Sequence, residues 1–169
     1  MKLNSKEIID YLNLTPHPEG GYFKETYRSK ELIINSELWE GAKGSRNYST
    51  GIYFMLENQQ FSAFHKIRQD EMWHFYIGAS ILIHMINKEG EYNLITIGNK
   101  INKGEYFQYV IPANTWFASE LKDKKGFSLC GCTVSPGFDF NDFEMPSRKF
   151  LIEKFPKQKK IISRLTNNY

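Results

Sequence analysis

The sequence of 169 residues has two cysteines, four histidines and no large excess of charge. Cys130 and Cys132 stand one residue apart, where a disulfide between them would be strained, so we expect reduced thiols in a cytoplasmic protein. The 22 basic and 19 acidic side chains are scattered along the chain, so we expect no nucleic-acid partner. No apolar run approaches the length of a transmembrane helix, and the N-terminus lacks the apolar segment of a signal peptide. We therefore expect no membrane association.

Aromatic side chains are abundant, with 13 Phe, 10 Tyr and 3 Trp making up 15% of the chain. Aromatic residues favour pleated, half-buried surfaces, so the composition predicts sheet. It is incompatible with intrinsic disorder, collagen or a coiled coil. The length favours one domain over residues 1–169.

Strand-like segments follow one another at short intervals, separated by turn formers. They are expected near Tyr22–Arg28, Thr50–Glu57, Phe61–Arg68, Glu71–Ile77, Ile81–Asn87, Tyr92–Ile97, Tyr106–Ile111, Thr115–Leu121 and Phe127–Val134. Many short strands without intervening helices predict an antiparallel sandwich or barrel, with its core over about 20–137. Ser5 is expected to cap a short N-terminal helix. Pro146 and Pro156 are expected to begin helices in a C-terminal segment over about 146–166.

The stretch 65–78 (HKIRQDEMWHFYIG) concentrates the candidate catalytic residues. Alternation along a strand places His65 and Glu71 on one face with Trp73 and Phe75, and His74 on the other. An imidazole and a carboxylate inside a barrel suit general acid–base catalysis, or half of a metal site. The alternative is a hydrogen-bonded core histidine and a surface ion pair of the carboxylate.

Further candidates are side chains that could contact a substrate. Arg28 suits recognition of a carboxylate or phosphate, and it lies on the first long strand with Glu25 and Tyr27. Trp116 is a candidate pocket wall, although a tryptophan in a β-protein is more often packing. For the first strand, the alternative is a solvated face.

Several phrases of the sequence resemble the cupin superfamily. The spacing His65-x5-Glu71-x6-Gly78 resembles its first motif, and Gly104 with the segment 112–114 (PAN) resembles its second. Four phrases resemble more specifically the uncharacterised cupin-5 family: 16–22 (PHPEGGY), 64–67 with 70–75 (FHKI and DEMWHF), 110–116 (VIPANTW) and 133–140 (TVSPGFDF). The resemblance implies a double-stranded β-helix, or jelly-roll barrel, that forms a homodimer.

Two of the positions that bind metal in typical cupins depart from the pattern. Such cupins supply three histidines and one glutamate, but this chain has Ile67 at the second histidine position and Phe117 at the third. We therefore expect no tightly bound metal and no cofactor. A weakly bound divalent cation held by His65, Glu71 and His74 is the alternative, and it would require a strand bulge near Met72.

The expected function is that of a small-molecule pocket protein of the cupin type. The nearest precedent among metal-free cupins is sugar or sugar-nucleotide epimerisation, in which a histidine removes a proton next to a carbonyl. His65 would be the base, Glu71 would orient it or act as partner acid, and the expected substrate contacts are Glu25, Tyr27, Arg28, Trp73, Phe75, Trp116 and Phe117. The alternative is a non-catalytic binding module with a degenerate metal site.

Overall fold

Twelve strands and three α-helices are described in residues 4–167, the part of the chain that the computed structural model describes. The helices are α1 (Ser5–Leu12), α2 (Arg148–Lys154) and α3 (Lys159–Arg164). The strands are β1 (Thr15–Pro16), β2 (Tyr22–Arg28), β3 (Leu32–Ile33), β4 (Arg46–Asn47), β5 (Thr50–Glu57), β6 (Phe61–His65), β7 (Asp70–Gly78), β8 (Ile81–Ile86), β9 (Tyr92–Ile97), β10 (Gln108–Ile111), β11 (Trp116–Leu121) and β12 (Phe127–Ser135). All nine predicted strands are present, and β1, β3 and β4 are two-residue additions.

The strands form two main antiparallel sheets. One has six strands in the order β1-β2-β5-β12-β7-β10, and the other has four in the order β6-β11-β8-β9. Strands β3 and β4 pair separately. Most neighbours in the sheets are distant in sequence, and this long-range antiparallel pairing is characteristic of jelly-roll topology.

The register of β7 determines which of its side chains face inward. Glu71 pairs with Val134 of β12, and Trp73 pairs with Cys132. Because residues directly opposite each other in an antiparallel pair lie on the same face, these four side chains share the inner face of the six-stranded sheet. A register shift beyond Cys130 then inserts an extra residue into β7.

Three apolar clusters hold the layers together. The largest, which includes Phe54 and Ile83, lies between the two sheets. The second packs α2 and α3 against the outer face of the four-stranded sheet through Trp116 and Leu151, among others. The third packs α1 through Ile8 onto the outer face of the six-stranded sheet. Both faces of β8 are therefore covered within the chain: the opposing sheet covers the inner face, and the C-terminal helices cover the outer face.

The helix ends differ slightly from those expected. Asn4, and not Ser5, caps α1, and it forms a capping box with Glu7. Helix α2 begins at Arg148 with Ser147 as its cap, two residues after the proline that was expected to begin it. In both cases a side chain that accepts a backbone N–H bond sets the boundary. No helix within residues 4–167 has the length and apolar character needed to cross a membrane.

Candidate functional site: a cavity on the inner face of the six-stranded sheet

The inner face of the six-stranded sheet lines a cavity of about 310 Å³. Strands β2, β5, β7 and β12 contribute alternate side chains, and β6, the turn after β1 and the loop after β12 complete the wall. The lining residues are His17, Glu19, Phe23, Glu25, Arg28, Thr50, Ile52, Phe54, His65, Ile67, Glu71, Trp73, Cys132, Val134, Phe138, Asp139, Phe140 and Phe143. A concave, largely apolar surface with a few ionisable groups is typical of a small-molecule site.

The turn after β1 carries Glu19 into the barrel. Gly20 and Gly21 have φ angles of +114° and +73°, which side chains of L-residues rarely adopt. A Cβ atom at Gly20 would also collide with the carbonyl oxygen of Phe61. The turn can therefore lie directly against β6, where Ala63 N–H donates to the Glu19 carbonyl oxygen at 2.8 Å. As a result, Glu19 is only 6% exposed.

Glu19 and His65 form a buried pair. His65 Nδ1 lies 2.7 Å from the Ala63 carbonyl oxygen, so this nitrogen carries a proton and donates it. His65 Nε2 lies 3.1 Å from Glu19 Oε2, and Glu19 Oε1 accepts a bond from Ser62 Oγ at 2.9 Å. Burial lowers the pKa of His65 to about 3 and raises the pKa of Glu19 well above its usual value. The pair is therefore neutral, with protonated Glu19 donating to Nε2.

Glu71 is the group of this cavity whose titration falls near neutral pH. Burial raises its pKa to about 7, although the Cys132 thiol and the Trp73 indole favour the carboxylate. The indole N–H lies near Glu71 but reaches hydrogen-bond geometry with no acceptor, and Trp73 is 1% exposed. Burial also raises the pKa of Cys132 well above its usual value, so that side chain is a neutral thiol. Glu71 can thus hold or release a proton at physiological pH.

An ion pair occupies one side of the cavity. Arg28 Nε and Nη2 donate to the two carboxylate oxygens of Glu25 at 2.9 and 2.6 Å. Arg28 Nη1 donates to Asn47 Oδ1 at 2.8 Å and to the Phe138 carbonyl oxygen at 3.2 Å. Four of its hydrogen-bonding directions are thus engaged within the protein. Arg28 therefore helps to hold the loop after β12, and its charge is matched by Glu25.

The loop after β12 supplies an aromatic wall. Phe138 and Phe140 pack edge-to-face with ring centroids 5.0 Å apart, and Phe143 contacts both. The His17 ring stacks on Phe140 at 6.4 Å. These rings come from two chain segments that meet only in the folded protein.

A buried clamp fixes that loop to the rest of the fold. Arg46 donates to both carboxylate oxygens of Asp142, at 2.6 and 2.7 Å, with side chains 1% and 4% exposed. Gln69 Nε2 donates to the same carboxylate at 2.8 Å. Because Asp142 lies between Phe140 and Phe143, the clamp positions the aromatic wall.

The structure brings together five of the residues predicted for the site. His65, Glu71, Glu25, Arg28 and Trp73 all line the cavity.

Four other predicted substrate contacts lie elsewhere, and these expectations are corrected. A register shift in β2 turns Tyr27 to the opposite face, where it is 57% exposed. Phe75 faces inward but packs on the core between the sheets, further along β7. Trp116 packs among the C-terminal helices, because it faces away from the barrel interior. Phe117 faces inward and is buried against the His65 ring, with centroids 4.1 Å apart, but does not reach the cavity.

The alternative metal site with His74 is also not formed. His74 lies on the outer face of the sheet and contacts Thr133 Oγ1 and Gln108 Nε2. The cupin ligand positions at Ile67 and Phe117 are filled by buried apolar side chains, and His65 Nε2 is bonded to Glu19. Within residues 4–167, no group of three or more His, Cys, Asp or Glu side chains is arranged to hold a metal ion. The side chains at these positions do not provide the three histidines and one glutamate that bind the metal ion in typical cupins.

Two parts of the site were not predicted. His17 and Glu19 lie in the segment 16–22, whose prolines and glycines indicate a turn and conceal its ionisable side chains. The aromatic wall of Phe138, Phe140 and Phe143 lies in a loop with no strand or helix periodicity. The phrases 16–22 and 133–140, which contain most of these residues, resemble the cupin-5 family. The resemblance assigns no role to their side chains.

Together, the two antiparallel sheets and the internal cavity define a cupin-type jelly roll. The family described as Cupin superfamily (DUF985), cupin-5, matches residues 6–146. An uncharacterised protein of Saccharomyces cerevisiae is 31% identical over 146 residues, which are 81% of this chain and 72% of the yeast protein. The chain belongs to the cupin-5 family.

Solved structures agree with this assignment. A protein of Shewanella oneidensis determined by structural genomics is 36% identical, with a TM-score of 0.90 over 99% of this chain and 100% of its own. An oxalate decarboxylase variant of Bacillus subtilis has a TM-score of 0.54 at 16% identity, over 91% of this chain and 38% of its own. The second likeness concerns the fold alone.

Proposed function

We propose that this protein binds a small molecule in the cavity and transfers a proton to or from it. The observation that carries the proposal is Glu71, a buried carboxyl group on the cavity wall with its pKa raised to about 7. A general acid or base works best when its pKa lies near the working pH. The reaction class is isomerisation or epimerisation, in which a proton leaves a carbon next to a carbonyl group.

The geometry supports Glu71, and not His65, as the base. Both ring nitrogens of His65 are engaged, and burial lowers the pKa of this side chain to about 3, so it is a weak base. Glu71 in its carboxylate form would accept the carbon-bound proton. The resulting Glu71 carboxylic acid would return the proton to carbon, while the Glu19–His65 pair, whose protons are already engaged, would only line the site.

A non-catalytic binding module is the second candidate. It is favoured by the closed hydrogen bonding of the Glu19–His65 pair, which is also what a purely structural pair would show. The two candidates share the cavity and differ only in turnover.

The test begins with a thermal-shift screen of sugars, carboxylates, amines and nucleotides, since a bound ligand raises stability by mass action. Each stabilising compound is then incubated with the protein in D2O, and deuterium at carbon is measured by NMR. Glu71→Gln should slow exchange by about 100- to 10,000-fold, because an amide cannot accept the proton.

The matched control is Glu89→Gln, an exposed position remote from the lining, which should leave exchange unchanged. Binding without exchange by any compound would establish the non-catalytic module. If no compound binds, the proposal of a small-molecule pocket is wrong.

A homodimer in the cytoplasm remains part of the proposal. The family resemblance supports the dimer, as do exposed apolar side chains such as Met72 and Val110 on the outer face of the six-stranded sheet. Free, buried Cys130 and Cys132 support a reducing compartment. Light scattering at micromolar concentration should give twice the chain mass of 19.9 kDa, and the monomer mass would contradict the dimer.

A further inference from the structure

We infer that the ligand of this cavity is a cation, an ammonium group on an apolar body, and that phosphate-bearing ligands are rejected. This inference rests on the proposed function, because it names the ligand class of the same cavity. It depends on the charges that line the cavity, on how they are paired, and on the aromatic side chains around them.

The lining of the cavity carries more acidic than basic side chains. Burial lowers the pKa of His17 to about 4 and that of His65 to about 3, so neither imidazole is positive at neutral pH. Arg28 is the single arginine or lysine among the lining residues. Against it stand the carboxyl groups of Glu25, Glu71 and Asp139, while Glu19 belongs to the neutral pair with His65. Acidic groups therefore outnumber basic ones.

The guanidinium of Arg28 is largely engaged by groups of the protein itself. Arg28 is bonded to both oxygens of Glu25, to the side chain of Asn47 and to the carbonyl of Phe138. A phosphate would have to compete with Glu25 for the guanidinium and would also lie near Asp139. Recognition of an anion requires free donors and an excess of positive charge, but four of the five guanidinium N–H groups are engaged and the acidic groups outnumber the basic ones. A sugar nucleotide is therefore a poor ligand.

The inner wall of the cavity offers a cation a carboxyl group beside aromatic side chains. Trp73 and Glu71 lie two residues apart on the same face of β7, so a cation beside the carboxylate lies next to the indole ring. Phe54 packs against Trp73 at 5.3 Å and extends the aromatic surface. The main gain for a cation in this position is the ion pair with Glu71, because Trp73 and Phe54 are each only 1% exposed and present little ring surface.

The indole N–H of Trp73, which has no hydrogen-bond partner, also favours the carboxylate form of Glu71 with a cation bound beside it. It is buried and lies near Glu71, but no acceptor satisfies it. A cation stabilises the carboxylate form of Glu71, and that form is the stronger acceptor for the indole N–H. Binding a cation would thus satisfy a donor that the free protein leaves without a partner.

The test compares four probes with one aromatic body and different charge: phenethylammonium, 2-phenylethanol, 3-phenylpropanoate and phenethyl phosphate. Dissociation constants are measured by isothermal titration calorimetry at pH 7.5. We expect phenethylammonium to bind about tenfold or more tightly than the alcohol, and the two anions to bind more weakly than the alcohol. Glu71→Gln should abolish the preference for the cation, whereas the surface control Glu89→Gln should retain it.

The pH dependence of binding by the unaltered protein provides a second measurement. Besides Glu71, the titratable or charged groups of the lining are His17, Glu19, Glu25, Arg28, His65, Cys132 and Asp139. Burial lowers the pKa of His17 to about 4 and that of His65 to about 3, and it raises the pKa values of Glu19 and Cys132. Affinity for phenethylammonium should therefore fall about tenfold per pH unit below pH 7, as Glu71 becomes protonated, while affinity for the alcohol stays constant.

The outcomes separate the inference from the proposed function. If the alcohol or an anion binds as tightly as phenethylammonium, or if the cation preference survives in Glu71→Gln, the inference is wrong and the small-molecule pocket stands. If none of the four probes binds, the inference is wrong, and the thermal-shift screen of sugars, carboxylates, amines and nucleotides decides separately on the small-molecule pocket. A cation preference that disappears with Glu71 and with acidification supports the inference.

Discussion

Replacing Arg46 with methionine should destabilise the fold and loosen the aromatic wall of the cavity. The guanidinium makes two bonds to the Asp142 carboxylate and three more to the carbonyl oxygens of residues 43–45. Methionine keeps much of the apolar stem but removes every one of these donors. Asp142 would then stay buried. Of the two side chains that donate to its carboxylate, Arg46 and Gln69, only Gln69 would be left.

The magnitude follows from the burial of the pair. Both side chains are almost fully excluded from solvent, and removing one partner of a buried ion pair costs about 3–5 kcal/mol, because the other charge stays buried without compensation. For a protein of this length, each kcal/mol lowers Tm by about 2–4 °C, so Tm should fall by roughly 6–20 °C. Adding Asp142→Leu to Arg46→Met should recover part of the loss, because the uncompensated carboxylate is then removed.

Urea unfolding monitored by circular dichroism measures the free energy of unfolding for each variant. The control is Lys149→Met, which breaks the exposed Lys149–Glu153 pair and should change stability by no more than about 0.5 kcal/mol. Hydrogen exchange should show faster opening of residues 138–143 in Arg46→Met than in the control. If Arg46→Met costs no more than Lys149→Met, the clamp does not hold the loop and the reasoning is wrong.

Two further predictions concern the ionisable groups of the cavity. Because the pKa of Glu71 rises from 4.5 to about 7 on folding, the folded protein binds more protons between these values, and stability falls as pH rises through this window. Relative to Glu71→Gln, the loss should be on the order of 3 kcal/mol between pH 4.5 and 8. If the unaltered protein and Glu71→Gln show the same dependence of unfolding free energy on pH, the pKa of Glu71 is not raised by folding. For metals, elemental analysis after mild dialysis should find far less than one equivalent of Zn, Mn, Fe or Ni, since Ile67 and Phe117 replace ligands; a retained stoichiometric metal would refute this.

The sequence by itself determined the strands and the shared face of Glu71 and Trp73. Strands β2, β5 and β9 have the predicted bounds, and the other six predicted strands differ by one to three residues at one end or, for β7, by one residue at both ends. Alternation correctly placed Glu71 and Trp73 on one face of β7, but His65 lies on β6 of the other sheet and reaches the cavity from there, so its predicted shared face with Glu71 is wrong. Strand positions and alternation within one strand depend on local periodicity and turn chemistry, which a single sequence displays.

Only the tertiary structure decided what those residues can do. Glu19 meets His65 across 46 residues of chain, and this contact, together with burial, turns the expected base into the acceptor of a neutral pair. Arg28 became a structural ion pair when Glu25, Asn47 and Phe138 surrounded its guanidinium. Protonation and charge pairing depend on desolvation and on contacts between distant segments, and neither is visible in the local pattern of a strand.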